Sequence, residues 1–561
     1  MARLYSPAIL AGFKQPGHSD RIDDSNMANP APTIAASFRA SVTRRADEQA
    51  LGTIRDGELN WRTWNQISRD AETLAGELRL AGVSHGNAVA QISENRYEWI
   101  LVDLALHQIG AVHVPIHVTL SGEQIAEQIA SCGARVVFIS TAKHLAKIAP
   151  RLKHGETVRV HDEQNYSEEK PLPGKPAVAP QSPAPRPQPD DLATILFTSG
   201  TTGHPRGVML SQRNLAWTAA ATAEAHGTAN LETRINILPF SHIYARTCDL
   251  YTWLYRGSRL VLAESRETLM RDCQLVQPTV FNGVPYVFER IAERVRAAGI
   301  PLSMVFGERM RQLTCGGAPI APEVEAWYAE QGLPLLPGYG LTEASPVISI
   351  STPAARKPGT VGRPLDGLEV QIAADGEVLV RGPNVMLGYW QDDAATAETI
   401  ATSSHDTAGW LHTGDLGTLD DDGFLSIRGR KKELIVLSTG KNVSPTRVES
   451  LLTASPLVSQ AAVFGEGLKG LVALVVPSEA RELGREELAA EISMQLAGVA
   501  KEEQVRDFAI LERSFSVERG ELTPKMSLCR AVIARNFATE LARLGCKTGP
   551  GHAGQAPPLT D

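Results

Sequence analysis

Residues 191–207 read DLATILFTSGTTGHPRG. DLATILF is a short apolar run of strand type. It leads into ten residues, 198–207, that hold four hydroxyl side chains, three glycines, one proline and one cation. Taken alone such a cluster marks a loop. Directly after a strand it has a further use: amides beside glycine can close on phosphate oxygens, hydroxyls add donors, and a cation neutralises charge. The stretch is not the common P-loop, because Pro205 stands where that motif places its second glycine, before Lys and Ser/Thr.

Working outward, AVAQIS (88–93) and GARVVFIS (133–140) are similar apolar runs, separated from one another and from DLATILF by stretches of helical length. That alternation predicts an α/β chain, with sheet covered on both sides by helices. Residues 61–82 place Trp64, Ile67, Ala71, Leu74, Leu78 and Ala81 at helical spacing, with Gly82 as a left-handed stop, which predicts a helix packed on one face. Residues 171–191, PLPGKPAVAPQSPAPRPQPDD, are too proline-rich for helix or sheet and are expected to loop over the surface. From about 365 to 430, EVQIAADGEVLVRG and TLDDDGFLSIRGR set glycine turns beside β-prone runs and predict a β-rich region. After GRKKE a small unit of alternating strands and helices is expected to run to about 545. The division expected is a flexible arm at 1–30, a large unit at 31–429, a small one at 430–545, and a disordered tail at 546–561.

Composition narrows the class. With 561 residues, 43% of them hydrophobic, the chain can bury a large core. Its 55 basic against 63 acidic residues leave a net charge of -8, which gives no reason to expect nucleic acid as a partner. The six cysteines form no CxxC pair, which argues against zinc or a disulfide framework and suits a cytoplasmic location. The most apolar long stretch, 100–118, is broken by Asp103, His107 and Gln108, so no transmembrane segment is expected, although peripheral membrane contact is left open. The first thirty residues fit neither a secretion signal nor a transit peptide.

GYGLTE, 338–343, lacks the third glycine of a dinucleotide fingerprint and has Glu343 in its place. Seven stretches occur in one order: FTSGTTGHPRGVMLS, LPFSHIYAR, GGAPI, GYGLTEASP, GEVLVRGPNVMLGYW, GWLHTGDLG and GRKKELIVLSTGKNVSP. From about residue 35 to 535 the chain thereby resembles the acyl-adenylate-forming superfamily, and QPTVFNGVPYVFERI with STGKNVSP resembles its long-chain fatty acyl-CoA synthetase branch. The resemblance implies a large adenylation domain, AMP-binding, with a β-rich subdomain, and a small mobile α+β C-terminal domain. It implies a ligase that forms acyl-AMP from ATP and a medium- to long-chain fatty acid, and passes the acyl group to coenzyme A.

It also implies roles for individual residues. Thr198, Ser199, Thr201 and Thr202, among Gly200 and Gly203, would hold the β- and γ-phosphates, with Arg206 as charge partner where relatives usually carry lysine. Arginine keeps the charge and adds a planar fork, so function is expected to survive. Tyr339, beside Gly340, would lie against adenine, with Gly317 and Ala318 lining that pocket. Thr342 would bond the α-phosphate and Glu343 would hold Mg2+, a hard cation that takes oxygen ligands. Asp415 would accept from both ribose hydroxyls, supported by Arg430, and Lys432 would be the hinge of the small domain. His242 would line the acyl or thiol side of the pocket; no general base is needed for the first step, since a carboxylate is already ionised near neutral pH.

One position departs from the pattern. The long-chain branch reads GELTPTxKLxR near its C-terminus, where the lysine steadies charge during adenylation; here residues 520–530 read GELTPKMSLCR. Ser527 occupies the aligned position and Lys525 stands two places earlier, on the same side if the segment is extended. Two other readings stay open: a fatty acyl-AMP ligase that loads a carrier protein, and a catalytically weak member that binds nucleotide or acyl chain.

Overall fold

Trp64 begins the helix that residues 61–82 predict, and the reason lies one residue earlier. Thr63 accepts from the Gln66 amide at 3.3 Å while the Gln66 side chain accepts from the Thr63 amide at 2.8 Å, a reciprocal cap that starts the helix Trp64–Leu80. Trp61 to Thr63 therefore belong instead to the strand Glu58–Thr63, because residues before an N-cap stay extended. Trp64, Ile67, Ala71, Leu74 and Leu78 form the buried face as expected, Ala81 falls just past the helix end, and Gly82 takes φ +85°. These features come from a computed structural model that describes residues 33–152, 157–161, 186–198, 205–227, 232–403, 406–478, 484–516, 519–522 and 528–546. The N-terminal arm, residues 171–185 of the proline-rich stretch, Ser199 to His204, Lys525, Ser527 and the tail beyond Cys546 lie outside the described residues.

The chain is α/β, as the alternation predicts. A seven-stranded sheet runs Gly388–Tyr389, Arg206–Ser211, Leu192–Thr198, Val112–Ile116, Ala88–Ile92, Val136–Ile139, Thr157–Val160. Its last five strands are parallel, and the strand Arg206–Ser211 returns antiparallel to Leu192–Thr198. All three apolar runs read from the sequence thus lie in this one sheet. A nine-stranded sheet has Leu335–Tyr339, Gln312–Cys315, Val280–Gly283, Thr233–Asn236 and Arg259–Leu262 as its parallel centre. One continuous apolar core joins strands of both sheets to the helices Ile34–Arg45, Trp64–Leu80, Tyr97–Ile109 and Gln212–Ala225. Within it Trp64 stacks on Trp253 with centroids 4.6 Å apart, a pairing that adds about 1 kcal/mol beyond burial.

The β-rich region is present: Glu369–Ile372, Glu377–Arg381, Asp406–Leu419, Ile400–Ser403 and Leu425–Arg430 form a five-stranded sheet. Beyond Lys431–Glu433, strands Val458–Phe464, Leu471–Pro477 and Val505–Ile510 form a three-stranded sheet with helices around it and apolar clusters of its own. No helix among the described residues is long and apolar enough to cross a membrane.

Candidate active site

The strand Leu192–Thr198 ends where the hydroxyl-rich loop begins. Thr198 pairs across the sheet with Arg206, so the two described ends of that loop sit side by side. Gly207 makes the next contact possible: a Cβ there would lie 2.9 Å from Ile195 and 3.1 Å from Trp390. Without one, the Trp390 amide donates to the Gly207 carbonyl at 2.7 Å, and the GYW stretch docks as a short edge strand. That docking brings Tyr389 under Arg206, whose guanidinium lies 5.4 Å from the ring centroid, with Asp392 3.7 Å from its Nε. Arg206 is three-quarters covered and faces an aromatic ring and one distant carboxylate, so its charge remains largely available to an anion.

Tyr389 also donates its hydroxyl to Glu343 Oε1 at 2.9 Å. Burial first, and then the charge of Glu343, hold this hydroxyl well above its ordinary pKa, so it stays a donor. Glu343 sits in the tight turn Thr342–Ala344. Gly340 is required just before it, since a Cβ would fall 1.7 Å from the Pro346 carbonyl oxygen. Thr342 is buried in the same turn. No group of three or more His, Cys, Asp or Glu converges as a metal cage among the described residues. A single carboxylate oriented by a neutral donor fits magnesium, which keeps water and phosphate oxygens as its other ligands.

Three residues upstream, Tyr339 donates to Asp415 Oδ2 at 2.7 Å. Arg430 Nε lies 2.9 Å from the other oxygen, because Asp415 and Arg430 are direct cross-strand partners. Burial raises the pKa of Asp415, while Arg430 and the Tyr339 hydroxyl oppose that rise. Each carboxylate oxygen has a second lone pair, so the group can accept from two further hydroxyls. Gly317 takes φ +88° in an exposed turn with Ala318, and Gly316 leaves room for Tyr244, whose Cζ would be 3.2 Å from a Cβ there.

His242 accepts from the Tyr244 amide through Nδ1 at 3.2 Å, which orients its ring 6.1 Å from that of His117. It is a helix cap as well as a half-buried neighbour of a second histidine. Lys432 is exposed between two tied neighbours: Lys431 bonds Asp375 at 2.5 Å and Glu377 at 3.0 Å, and Glu433 accepts from Arg530 at 3.1 Å.

The structure thus brings together Thr198 with Arg206, Thr342 with Glu343, and Tyr339 with Asp415 and Arg430. One partner within the site and one structural anchor of the C-terminal unit were missed. Tyr389 lay inside the quoted GYW stretch, but only the fold shows that it meets both Arg206 and Glu343. Glu521 was read only as part of GELTP. It is fully buried, bonded to Arg513 at 2.7 and 2.8 Å, to Asn536 at 2.9 Å and to the Ser516 amide at 3.2 Å. These contacts anchor the chain just before the Leu522–Leu528 bridge that flanks Lys525 and Ser527.

Comparison with known proteins gives a consistent picture. The profile of the AMP-binding enzyme family matches residues 38–390, and that of the AMP-binding enzyme C-terminal domain matches residues 432–544. The chain is 32% identical over 537 residues to the long-chain-fatty-acid--CoA ligase FadD15 of Mycobacterium tuberculosis, covering 82% of this chain and 88% of that one. It is 31% identical over 481 residues to a feruloyl-CoA synthase of an Amycolatopsis species, covering 82% and 93%. The O-succinylbenzoate coenzyme A synthetase MenE of Bacillus subtilis, solved with ATP and magnesium ion, superposes with TM-score 0.72 at 25% identity, covering 86% of this chain and 96% of that one.

Proposed function

Because the chain belongs to the AMP-binding enzyme family, we propose that it is an ATP-dependent, AMP-forming ligase that joins a medium- to long-chain fatty acid to coenzyme A. The observation that carries this reading is the geometry around one short turn. Tyr339 on one side reaches Asp415, and Glu343 on the other reaches Tyr389 beneath Arg206. Nucleoside and phosphate contacts are therefore adjacent, with Thr342 between them. The identity to FadD15 over most of both chains supports the fatty-acid branch.

In the first step a carboxylate oxygen of the acid attacks the α-phosphorus of ATP, and the bond from that phosphorus to the bridging oxygen breaks. Pyrophosphate leaves and acyl-AMP remains. Asp415 and Arg430 hold the ribose, Tyr339 the adenine, with Gly317 and Ala318 lining its pocket and Gly340 shaping the turn. Thr342 donates to the α-phosphate. Arg206 and Thr198, with Ser199, Gly200, Thr201, Thr202 and Gly203, take the charge that accumulates on the departing diphosphate. Glu343 would hold magnesium, which would supply charge neutralisation to the departing diphosphate, in keeping with the ATP and magnesium ion of the MenE complex. Lys525, in place of the lysine absent at Ser527, adds one more positive contact.

In the second step the thiol of coenzyme A attacks the acyl carbon, forming the thioester and releasing AMP. His242 lines the acyl side. The unit at 430–545 turns about Lys432 relative to the unit at 31–429 between the two steps. An aromatic substrate is the second reading, favoured by the 31% identity to feruloyl-CoA synthase. Pyrophosphate release with saturated acids of graded length and with ferulic acid, each with and without coenzyme A, tests the whole assignment. Release with fatty acids and thioester formation only with coenzyme A is the expected result. Release with ferulic acid alone selects the second reading, acyl-AMP that coenzyme A cannot discharge points to a carrier-protein acceptor, and nucleotide binding without any release points to a binding member.

A further inference from the structure

Behind the strand Leu192–Thr198 the core is not wholly apolar. The helix Tyr97–Ile109 places Asp103 and His107 one turn apart, and the strand Val112–Ile116 adds His113; all three are buried. Into this group projects Arg246, itself fully buried, the first residue of the π-helical turn Arg246–Tyr251. Its Nη2 donates to Asp103 Oδ1 at 2.5 Å and its Nη1 donates to Thr194 Oγ1 at 2.9 Å. The Thr194 hydroxyl in turn donates to the His113 carbonyl at 2.6 Å. A relay completes the group: Gln212 donates to His107 Nδ1 at 2.9 Å, leaving His107 Nε2 to donate to the Tyr251 hydroxyl at 2.9 Å, which donates to Asp103 at 3.2 Å.

A buried ion pair is a poor source of stability, since well-packed apolar groups of similar volume often serve as well or better. What Arg246 supplies is a connection. The same π-helical turn is gripped on its other side, where Asp249 accepts from Asn282 at 2.6 Å and Asn236 at 2.8 Å, and the Cys248 carbonyl accepts from Arg234 at 2.7 Å. Between these anchors Thr247 donates to the Ser345 carbonyl at 3.2 Å, directly after the Thr342–Ala344 turn. Two adjacent residues of one rigid turn therefore hold the strand that ends at Thr198 and the turn that carries Thr342 and Glu343. π-turns within helices are found frequently at functional sites.

We propose that Arg246, with Asp103 as its counter-ion, is a positioning residue for adenylation: through Thr194 it sets the strand ending at Thr198 relative to the Thr342–Glu343 turn that Thr247 holds. The proposal rests on the adenylation reading above. Arg246 touches no substrate site; it acts through Thr194, and it bears on the step in which pyrophosphate departs rather than on thiol transfer.

The test separates the two half-reactions. Thr194→Val removes the hydroxyl and keeps the shape; the double variant Asp103→Leu/Arg246→Met replaces the ion pair by apolar groups. Each is measured by carboxylate-dependent pyrophosphate exchange, by thiolysis of supplied acyl-AMP with coenzyme A, and by thermal melting. Thr194→Val is expected to melt close to the wild type, to lose roughly ten- to a hundredfold in kcat of exchange, the scale of a misplacement on the order of an ångström, and to keep its thiolysis rate. The double variant is expected to lose more exchange while remaining folded. Full exchange in a folded double variant, or equal losses in both half-reactions, overturns the proposal. If the double variant does not fold, Thr194→Val decides alone: unchanged exchange overturns the proposal. A wild type that shows no exchange with any acid defeats the adenylation reading itself, an outcome distinct from wild-type exchange that Thr194→Val leaves intact.

Discussion

Tyr339 donates its hydroxyl to Asp415 at 2.7 Å while Arg430 holds the other carboxylate oxygen at 2.9 Å. The carboxylate is thus held from both sides, and if it binds ribose as proposed, its remaining lone pairs are already fixed in place. Asp415→Ala is expected to cost about 2–3 kcal/mol of ATP-dependent transition-state binding, roughly a thirty- to a hundred-and-fiftyfold fall in kcat/KM for ATP. Tyr339→Phe keeps the ring and removes only the donor, so a loss of roughly two- to tenfold is expected. Steady-state pyrophosphate release against ATP concentration reads both.

Arg206 has a setting that suits a guanidinium: a ring face at 5.4 Å and a carboxylate at 3.7 Å. Neither partner neutralises it fully. Arg206→Ala is expected to lower carboxylate-dependent pyrophosphate release by roughly a hundred- to a thousandfold, the scale for losing one preorganised charge contact. Arg206→Lys keeps the charge and loses the planar fit to Tyr389, so a loss of no more than about tenfold is expected. A lysine variant as impaired as the alanine one would show that the fork itself is needed.

Tyr389→Phe removes the one side-chain donor that the described structure gives Glu343. The carboxylate then turns more freely, and the free Mg2+ concentration for half-maximal pyrophosphate release is expected to rise roughly two- to tenfold. The thermal midpoint should move little, because the ring and its burial remain. Calorimetric titration of ATP at fixed Mg2+ gives a second readout that does not depend on turnover.

Part of this candidate site was legible locally: the strand-to-loop transition at Thr198 follows from an apolar run that meets a glycine- and hydroxyl-rich stretch. Thr342, Glu343, Asp415 and Arg430 were named through the family resemblance rather than from their own spacing. The structure adds why the backbone fits there, since Gly340 and Gly207 each leave room that a Cβ would fill. Tyr389 was not legible as a partner of Glu343, since 46 residues separate them and only edge-strand docking brings them together. Asp103 read merely as an interruption in an apolar run, yet it meets Arg246 from 143 positions away. The helix boundary at Trp64 failed by three residues because apolar spacing does not see a cap: Thr63 and Gln66 decide that start.

Glu521 is expected to make the C-terminal unit sensitive to acid. Its bonds with Arg513 come first among the causes, outweighing burial, and with Asn536 and Arg519 they pull its pKa down from the usual carboxylate range to about 2. A depressed folded-state value means stability that is complete above the ordinary glutamate range and is lost as pH falls toward about 2. Melting temperature followed between pH 6 and pH 2.5 is expected to fall through that window. In Glu521→Gln the midpoint is expected to be lower at neutral pH, with a shallower decline below pH 5. A parallel decline in both proteins would remove Glu521 as the cause.

Lys525 is the only lysine near Ser527, the position at which the family resemblance would place a C-terminal lysine. Glu521 and the Leu522–Leu528 bridge hold the two sides of this stretch, so a substitution within it need not disturb the fold around it. Lys525→Ala is therefore expected to lower carboxylate-dependent pyrophosphate release by roughly a hundred- to a thousandfold, with ATP binding in a calorimeter largely kept. Introducing lysine at the family position in that background, Lys525→Ala/Ser527→Lys, is expected to restore a substantial share of the rate, because the charge would again stand where relatives carry it. Unchanged release in Lys525→Ala would show that adenylation here proceeds without a cation from this position.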